Sequence, residues 1–138
     1  MRIAVFGTGG VGGYYGGRLA EAGEDVVFIA RGAHLQAMRD HGLKVESTKG
    51  DFIVHPVDAT DDPVEVGIVD VVMVCVKCWQ VPEAAEAIRP MIGPDTYVLP
   101  MENGVEAPGQ LAEVLGWEHV LGGVCGIVSF KAGPGHIQ

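Results

Sequence analysis

Short apolar runs alternate with segments of helical periodicity along most of the chain. Four runs have the length and composition of strands: residues 2–6, 25–30, 68–76 and 97–101. Four other segments carry apolar residues at the spacing of a helix face: residues 11–22, 33–41, 82–91 and 107–115. The long apolar run 68–76 predicts a strand buried on both faces. This alternation predicts a mostly parallel sheet with helices on both of its faces.

Two parts of the chain depart from the alternation. Residues 43–47 and 51–57 have the pattern of two short strands around a four-residue turn, and we expect this hairpin on the edge of the sheet. Near the C-terminus, residues 120–124 and 127–130 have the pattern of extended segments, and the chain is expected to end in a strand after Gly133-Pro134-Gly135.

The junction between the first strand and the first helix carries a G-x-G-x-x-G motif, Gly7-Thr8-Gly9-Gly10-Val11-Gly12. There, Gly7 allows a tight turn, Gly9 lets a pyrophosphate approach the main chain, and Gly12 lets helix and strand pack closely. The helix N-terminus adds free N–H groups for the anion. We therefore predict a doubly wound, Rossmann-type α/β domain over residues 1–138 that binds a dinucleotide through residues 7–12. A plain glycine-rich turn is the alternative.

The end of the second strand indicates which dinucleotide is bound. An Asp or Glu about 20 residues after the glycines would select NAD through the ribose 2′-hydroxyl. The sequence there is Ile29-Ala30-Arg31-Gly32, with no acid. An arginine can donate two parallel hydrogen bonds to a 2′-phosphate, so we predict NADP(H) as the cofactor, bound by Arg31. An exposed arginine without a special role is the alternative.

Composition narrows the classes of function. A chain of 138 residues with 48% hydrophobic residues can form one domain with a substantial core. No apolar run approaches the roughly 20 residues of a membrane span, and no charged-then-apolar leader precedes the first strand, so we expect a cytoplasmic protein without a membrane partner. The net charge of −9 argues against general nucleic-acid binding.

The chain contains one C-x-x-C pair, Cys75 and Cys78. Cys75 lies within the apolar run, where a small buried strand residue is expected rather than a redox thiolate at a helix N-terminus. A structural zinc site needs four ligands, and the sequence contains no second pair. We therefore predict no metal site.

Polar residues follow the third and fourth predicted strands directly. Lys77-Cys78-Trp79-Gln80 follows one and Glu102-Asn103-Gly104 follows the other. Because ligands of such sheets bind beyond the carboxyl ends of the strands, Lys77 and Asn103 are candidate ligand contacts. A solvated lysine and a turn asparagine are the alternatives.

Taken together, these segments resemble the ketopantoate reductase (2-dehydropantoate 2-reductase) family. The resemblance rests on G-T-G-G-V-G at 7–12, Arg31, V-K-C-W-Q at 76–80, E-N-G-V-E at 102–106 and the run at 122–137, and it covers nearly the whole chain. In that family, NADPH gives a hydride to the 2-keto group of 2-dehydropantoate and yields pantoate for pantothenate synthesis. The partner implied is a small 2-keto acid.

The resemblance also implies roles for individual residues. It places the pyrophosphate on residues 7–12 and the 2′-phosphate on Arg31. It places Lys77 near the nicotinamide and its ribose, with Gln80 also on the cofactor. It makes Asn103 a catalytic contact that orients the ketone, with Lys77 in support, and it brings the backbone of Ile127 to the nicotinamide end.

The resemblance has one departure and one missing part. Glu102 stands where the family usually has an uncharged residue, so the carboxylate is expected to point away from the substrate, or the substrate to differ. The family's proton-donor lysine lies in a second, helical domain that also serves substrate binding and dimerisation. The resemblance therefore allows a homodimer of the full-length protein. Nothing distinguishes Lys131 from a surface lysine. We therefore expect an N-terminal fragment that binds NADPH without turning over ketopantoate.

Two alternatives of other kinds remain open from the sequence. One is the N-terminal domain of another dehydrogenase that acts on 2-keto or 3-hydroxy acids, or of an opine-type enzyme. The other is a stand-alone NADP-sensing module, for which the shortness of the chain is the main support.

Overall fold

Two sheets and five α-helices make up the computed structural model, which describes residues 1–102, 106–122, 127 and 129–138. The elements of the described part are, in chain order, β1 (Arg2–Phe6), α1 (Gly10–Glu21), β2 (Asp25–Ile29), α2 (Gly32–His41), β3 (Leu43–Val45), β4 (Phe52–Val54), β5 (Asp58–Thr60), α3 (Pro63–Val66), β6 (Val71–Val74), α4 (Val81–Ala87), β7 (Tyr97–Pro100), α5 (Ala107–Leu115), β8 (Lys131–Gly133) and β9 (His136–Ile137). Short 3₁₀ turns lie at Cys78–Gln80, Arg89–Met91 and Trp117–His119.

The larger sheet has five strands in the order β5-β2-β1-β6-β7. Every neighbouring pair in it is parallel. The chain runs outward from β1 through β2 to β5, then returns to the other side of β1 for β6 and β7. The order therefore reverses beside β1, which is the switch point where open α/β sheets bind ligands. The predicted Rossmann-type fold is confirmed.

Side chains alternate between two apolar clusters, one on each face of this sheet. Along β1, Ala4 joins one cluster, whereas Ile3 and Val5 join the other. The first cluster contains fully buried side chains of the α4 and α5 segments, including Ile88 and Leu111. The second contains residues of α2 and of the second sheet. Helices therefore cover both faces, as the sequence predicts.

The hairpin of β3 and β4 does not lie on the edge of the main sheet, so that expectation is wrong. It belongs to a second sheet of four strands in the order β4-β3-β9-β8. The reason is the C-terminal strand, because β9 pairs in parallel with β3 through Lys44 opposite His136 and Val45 opposite Ile137. The edge of the main sheet is occupied by β5, which the sequence analysis assigned to no strand of its own.

Three predicted elements differ in extent. Regular pairing of the predicted strand 68–76 covers only Val71–Val74, although the N–H of Cys75 still donates to the carbonyl of Phe6 at 2.8 Å. The predicted helix 82–91 ends at Ala87 and continues as a 3₁₀ turn around Pro90, which has no N–H for an α-helical bond. Of the predicted segment 120–124, Val120 forms a single bridge to Val98, and residues 123–126 and 128 lie outside the described residues.

The described residues also bear on the expectations about membrane spans and about the two cysteines of the C-x-x-C pair. Every described helix is too short or too polar to cross a lipid bilayer. Cys75 is half-buried rather than buried, and Cys78 is exposed at the start of the first 3₁₀ turn.

Candidate functional site

A cleft of about 730 Å³ opens at the carboxyl ends of β1, β2, β6 and β7. Four places in the chain form much of its wall: residues 6–11, residues 29–31 with His34, residues 75–80, and Met101 and Glu102 directly after β7. Single residues of other segments, including Asp61, Glu83 and Lys131, complete it. It therefore collects four of the segments that the sequence analysis nominated separately. Such a cleft at a switch point is where this class of sheet binds its ligands.

The glycine-rich loop forms the floor of the cleft, and its four glycines meet different surroundings. Gly7 has φ +96°, a conformation that L side chains rarely adopt, and a Cβ there would lie 2.7 Å from the carbonyl oxygen of Cys75. A Cβ on Gly12 would collide with the carbonyl of Gly7, and one on Gly10 with the carbonyl of Ser129. A Cβ on Gly9 would meet no atom of the described residues within 4 Å. With respect to this part of the chain, Gly9 is the loop glycine that faces open space.

Helix α1 begins directly behind this open position. Gly9 is its N-cap and makes no side-chain capping bond, and no acid occupies the first turn. The first intrahelical bond to the cap runs from the N–H of Gly13 to the carbonyl of Gly9 at 2.8 Å. The preceding N–H groups therefore have no partner within the helix and carry its positive end. An anion can bind there through backbone donors alone.

Two buried side chains hold this loop through hydrogen bonds. Thr8 is buried, and its Oγ1 donates to the carbonyl of Ile29 at 3.0 Å, which ties the loop to the end of β2. His34 is also buried, with Nε2 2.6 Å from the carbonyl of Thr8 and Nδ1 2.8 Å from the N–H of Gly135. A carbonyl needs a donor and an N–H needs an acceptor, so the ring is neutral with its proton on Nε2.

Arg31 lies on the rim of the cleft, two residues beyond Ile29, where the β2 ladder ends. It is exposed, and it is the N-cap of α2 with extended backbone. Its guanidinium makes no hydrogen bond or ion pair with any residue that the structure describes. All its donors are therefore available to a ligand.

On the opposite wall, Lys77 and Gln80 form a closed turn. The side-chain oxygen of Gln80 accepts from the N–H of Lys77 at 3.0 Å, and the N–H of Gln80 donates to the carbonyl of Lys77 at 2.8 Å. The turn fixes the backbone of Lys77, whose side chain is exposed. Trp79 lies within the turn, between Lys77 and Gln80, and is also exposed. The side-chain oxygen of Gln80 is thus bonded to the backbone of Lys77, whereas the sequence analysis expected Gln80 to contact the cofactor.

Glu102 lines the cleft where β7 ends, and its two oxygens differ. Oε1 accepts from the N–H of Val76 at 3.3 Å, whereas Oε2 is buried with no hydrogen-bond partner among the described residues. Burial raises the pKa of Glu102 to about 7, while the nearby backbone N–H groups of Glu102, Val76 and Met101 act in the opposite direction. A large share of this carboxyl is therefore uncharged near neutral pH. The conflict between Glu102 and an anionic substrate is weaker than its charge in the sequence suggests.

The charges of the cleft contrast with those of the chain. The chain has nine Lys and Arg against 18 Asp and Glu. The cleft is lined by three of the cations, Arg31, Lys77 and Lys131, against three of the acids, Asp61, Glu83 and Glu102. Because the cations are concentrated there twofold relative to the acids, an anion meets less repulsion in the cleft than the net charge of the chain suggests.

Not every residue proposed from the sequence reaches the cleft. Ile127 lines a separate depression with Tyr14 and Ser129, so its contact with a cofactor stays a prediction. Asn103 lies outside the described residues. Conversely, the sequence analysis missed His34, and it treated Lys131 as an ordinary surface lysine. The signal for His34 was its place three residues after Arg31 at the start of a helix, whereas Lys131 reaches the cleft only through the pairing of β8 with β9.

The strand order and the glycine loop at the switch point define a Rossmann-type α/β domain. A family model described as ketopantoate reductase PanE/ApbA matches residues 3–138. The chain belongs to this family, whose members are oxidoreductases.

Individual relatives support the same assignment. The 2-dehydropantoate 2-reductase of Nostoc sp. (strain PCC 7120 / SAG 25.82 / UTEX 2576) is 38% identical over 137 residues, which are 99% of this chain and 43% of that protein. The crystal structure of a PanE/ApbA family ketopantoate reductase from Ralstonia eutropha JMP134 superposes with a TM-score of 0.94 at 40% identity, covering 100% of this chain and 46% of that one.

A further structural relative is a dehydrogenase whose structure contains NADH. The ternary structure of D-mandelate dehydrogenase with NADH and anilino(oxo)acetate has a TM-score of 0.89 at 25% identity, and the match covers 99% of this chain and 45% of that one. The chain thus spans less than half the length of these relatives and matches one that binds NADH.

Proposed function

We propose that this chain is the NADPH-binding part of a 2-dehydropantoate 2-reductase, which reduces ketopantoate to pantoate in pantothenate synthesis. The observation that carries the proposal is the open face of Gly9 at the N-terminus of α1. The other three loop glycines are closed off by protein atoms, so this position is left for a group that approaches the bare backbone. A pyrophosphate has the charge and the oxygen acceptors to bind there.

The proposed choice of NADPH over NADH rests on Arg31. Its guanidinium lies on the cleft with all donors unused by described residues, and no acid takes its place at the end of β2. A 2′-phosphate dianion would accept a bidentate pair of hydrogen bonds from it. D-mandelate dehydrogenase is a relative that binds NADH, so cofactor choice varies among similar folds and must be tested on this chain.

Lys77 and Asn103 complete the proposed half of the active site. When bound, the cofactor would supply the hydride, which adds to the carbonyl carbon of the keto acid. Lys77 would hold the cofactor from the β6 side, because Gln80 fixes its backbone and leaves its ammonium exposed to the cleft. Asn103 would orient the ketone. The developing alkoxide needs a proton, and we propose that a further, helical domain provides it, as the greater length of the relatives suggests.

The proposal implies that residues 1–138 bind NADPH without catalysing turnover. It also includes the expectation of a cytoplasmic location and a possible homodimer, both of which stay predictions. The alternatives are another dehydrogenase of this family and an NADP sensor. Turnover of a different 2-keto acid by the natural protein would favour the former, and absence of turnover with any 2-keto acid the latter.

The decisive experiment is a titration of residues 1–138 with NADPH and with NADH. We expect NADPH to bind more tightly and Arg31→Ala to lower its affinity about tenfold or more, with little change for NADH, because only NADPH carries the 2′-phosphate. Arg89→Ala is the matched control, since Arg89 is an exposed arginine paired with Glu86 and does not line the cleft. A preference for NADH would overturn the assignment of Arg31, and ketopantoate-dependent NADPH oxidation by residues 1–138 would show that no further domain is required.

A further inference from the structure

His34 connects two parts of the molecule that are distant in sequence. Its Nε2–H donates to the carbonyl of Thr8 in the glycine loop at 2.6 Å, and its Nδ1 accepts from the N–H of Gly135 in the β8–β9 turn at 2.8 Å. The ring is buried, so both bonds are shielded from water. Hydrogen bonds in such surroundings are costly to leave unmade.

The bond to Thr8 acts on the peptide unit that joins Thr8 to Gly9. In a planar trans peptide, the C=O and the following N–H point in opposite directions. Since the carbonyl of Thr8 is drawn toward His34, the N–H of Gly9 must point away from it. Gly9 is also the loop position with open space in front of it. His34 therefore fixes the orientation of a backbone donor at the place where an anion is proposed to bind.

The C-terminal segment supports the loop at a second point. The hydroxyl of Ser129 donates to the carbonyl of Gly10 at 2.8 Å, and Gly10 has no room for a side chain because Ser129 packs against it. In turn, the carbonyl of Gly135 accepts from the N–H of Lys44 at 2.8 Å, which anchors the β8–β9 turn to the second sheet. His34 thus joins the loop to a fixed framework rather than to a free chain end.

We propose that His34 is a positioning residue that orients the Thr8–Gly9 peptide for the pyrophosphate of the dinucleotide, using the β8–β9 turn as its support. This inference rests on the proposed dinucleotide binding but not on the choice between NADPH and NADH, because both carry a pyrophosphate. His34 also lines the cleft, but both of its ring nitrogens are engaged by backbone groups of Thr8 and Gly135, so it acts through the loop.

Two substitutions separate positioning from general stability. His34→Gln can keep an N–H donor near Nε2 for the carbonyl of Thr8, whereas His34→Asn can keep an acceptor near Nδ1 for the N–H of Gly135. Each variant loses one of the two bonds, so both are expected to lose similar stability in urea unfolding. Only His34→Asn releases the Thr8–Gly9 peptide.

The assay measures the affinity of residues 1–138, and of the natural protein that carries them, for two probes. The first is 2′-phospho-ADP-ribose, which contains the pyrophosphate, and the second is adenosine 2′-phosphate, which lacks it. If the wild type binds NADH more tightly than NADPH, ADP-ribose and adenosine take their places. We expect His34→Asn to weaken binding of the first about tenfold and of the second less than twofold, with His34→Gln close to wild type for both. Equal affinities of the Asn and Gln variants for 2′-phospho-ADP-ribose would overturn the inference. If the wild type binds none of the probes and neither NADPH nor NADH, the proposed function is overturned instead.

Discussion

Replacing Glu102 with glutamine should make the protein more stable above neutral pH. The carboxyl of Glu102 has one buried oxygen without a partner among the described residues, and burial raises its pKa from 4.5 to about 7. The folded protein therefore holds a proton on this group that the unfolded chain has already lost between these two pH values. Stability from this group is greatest below pH 4.5, falls as the pH rises toward 7, and stays low above it.

The size of the effect follows from the shift. Each pKa unit corresponds to about 1.4 kcal/mol, so a shift from 4.5 to about 7 gives an upper limit of about 3.5 kcal/mol at high pH. Water still reaches part of this half-buried side chain, so screening reduces the expected penalty to about 1 to 2 kcal/mol. Glutamine keeps an oxygen for the N–H of Val76 and carries no charge at any of these pH values.

Urea unfolding of the 138-residue chain at pH 5, 6, 7 and 8 measures this directly. We expect Glu102→Gln to exceed the wild type's free energy of unfolding by less than about 0.5 kcal/mol at pH 5 and by about 1 to 2 kcal/mol at pH 8. Glu113→Gln is the matched control, because Glu113 is an exposed glutamate on α5. A difference between Glu102→Gln and the wild type that does not change from pH 5 to pH 8 would show that this carboxyl keeps an ordinary pKa.

Two further predictions concern the loop and the opposite wall of the cleft. Gly12→Ala should destabilise the fold by about 1 to 3 kcal/mol in urea unfolding, because its methyl group collides with the carbonyl of Gly7. Gly9→Ala should change stability by less than about 1 kcal/mol, because its methyl group enters open space, yet it should weaken NADPH binding in a fluorescence titration. Equal losses of stability in the Gly9 and Gly12 variants would contradict the different surroundings of the two glycines. Gln80→Ala should cost about 1 kcal/mol of stability and weaken NADPH binding, because it frees the backbone of Lys77. Gln80→Glu keeps the acceptor oxygen and should retain more stability and more affinity. Identical behaviour of the two variants would refute the role of Gln80 in holding Lys77.

The elements that the sequence predicts well carry their own local signals. Helix α5 has the predicted bounds Ala107–Leu115, since Pro108 suits the first turn and Gly116 ends the helix at φ +95°. The loop from Gly7 to Gly12 was likewise identified from its glycine spacing and its place directly behind the first strand. Each of these depends on residues within one or two turns of each other.

The parts that were missed depend on pairing between distant residues. The hairpin of β3 and β4 has a strand pattern, but nothing near it shows that β9, about 90 residues later, pairs with β3 in parallel. The same pairing delivers Gly135 to His34 and Lys131 to the rim of the cleft. A one-dimensional pattern contains the period of a strand but not its partner, so it missed both the second sheet and the cleft residues that this sheet positions.

The glycines of α1 show how this second sheet shapes the site. The helix carries glycine at four buried positions, which lowers helix propensity, and glycines behind such a loop can admit either a ligand or a closely packed neighbour. The structure assigns three of these positions to packing instead, since a Cβ would press on Ile137 at Gly13, on Phe28 at Gly16 and on Phe52 at Gly17. Helix α1 therefore lies between the two sheets, and its small residues let both approach it. Because that packing fixes the helix axis, its N-terminus and the open face of Gly9 are held in place before any ligand arrives, which lowers the ordering cost of binding.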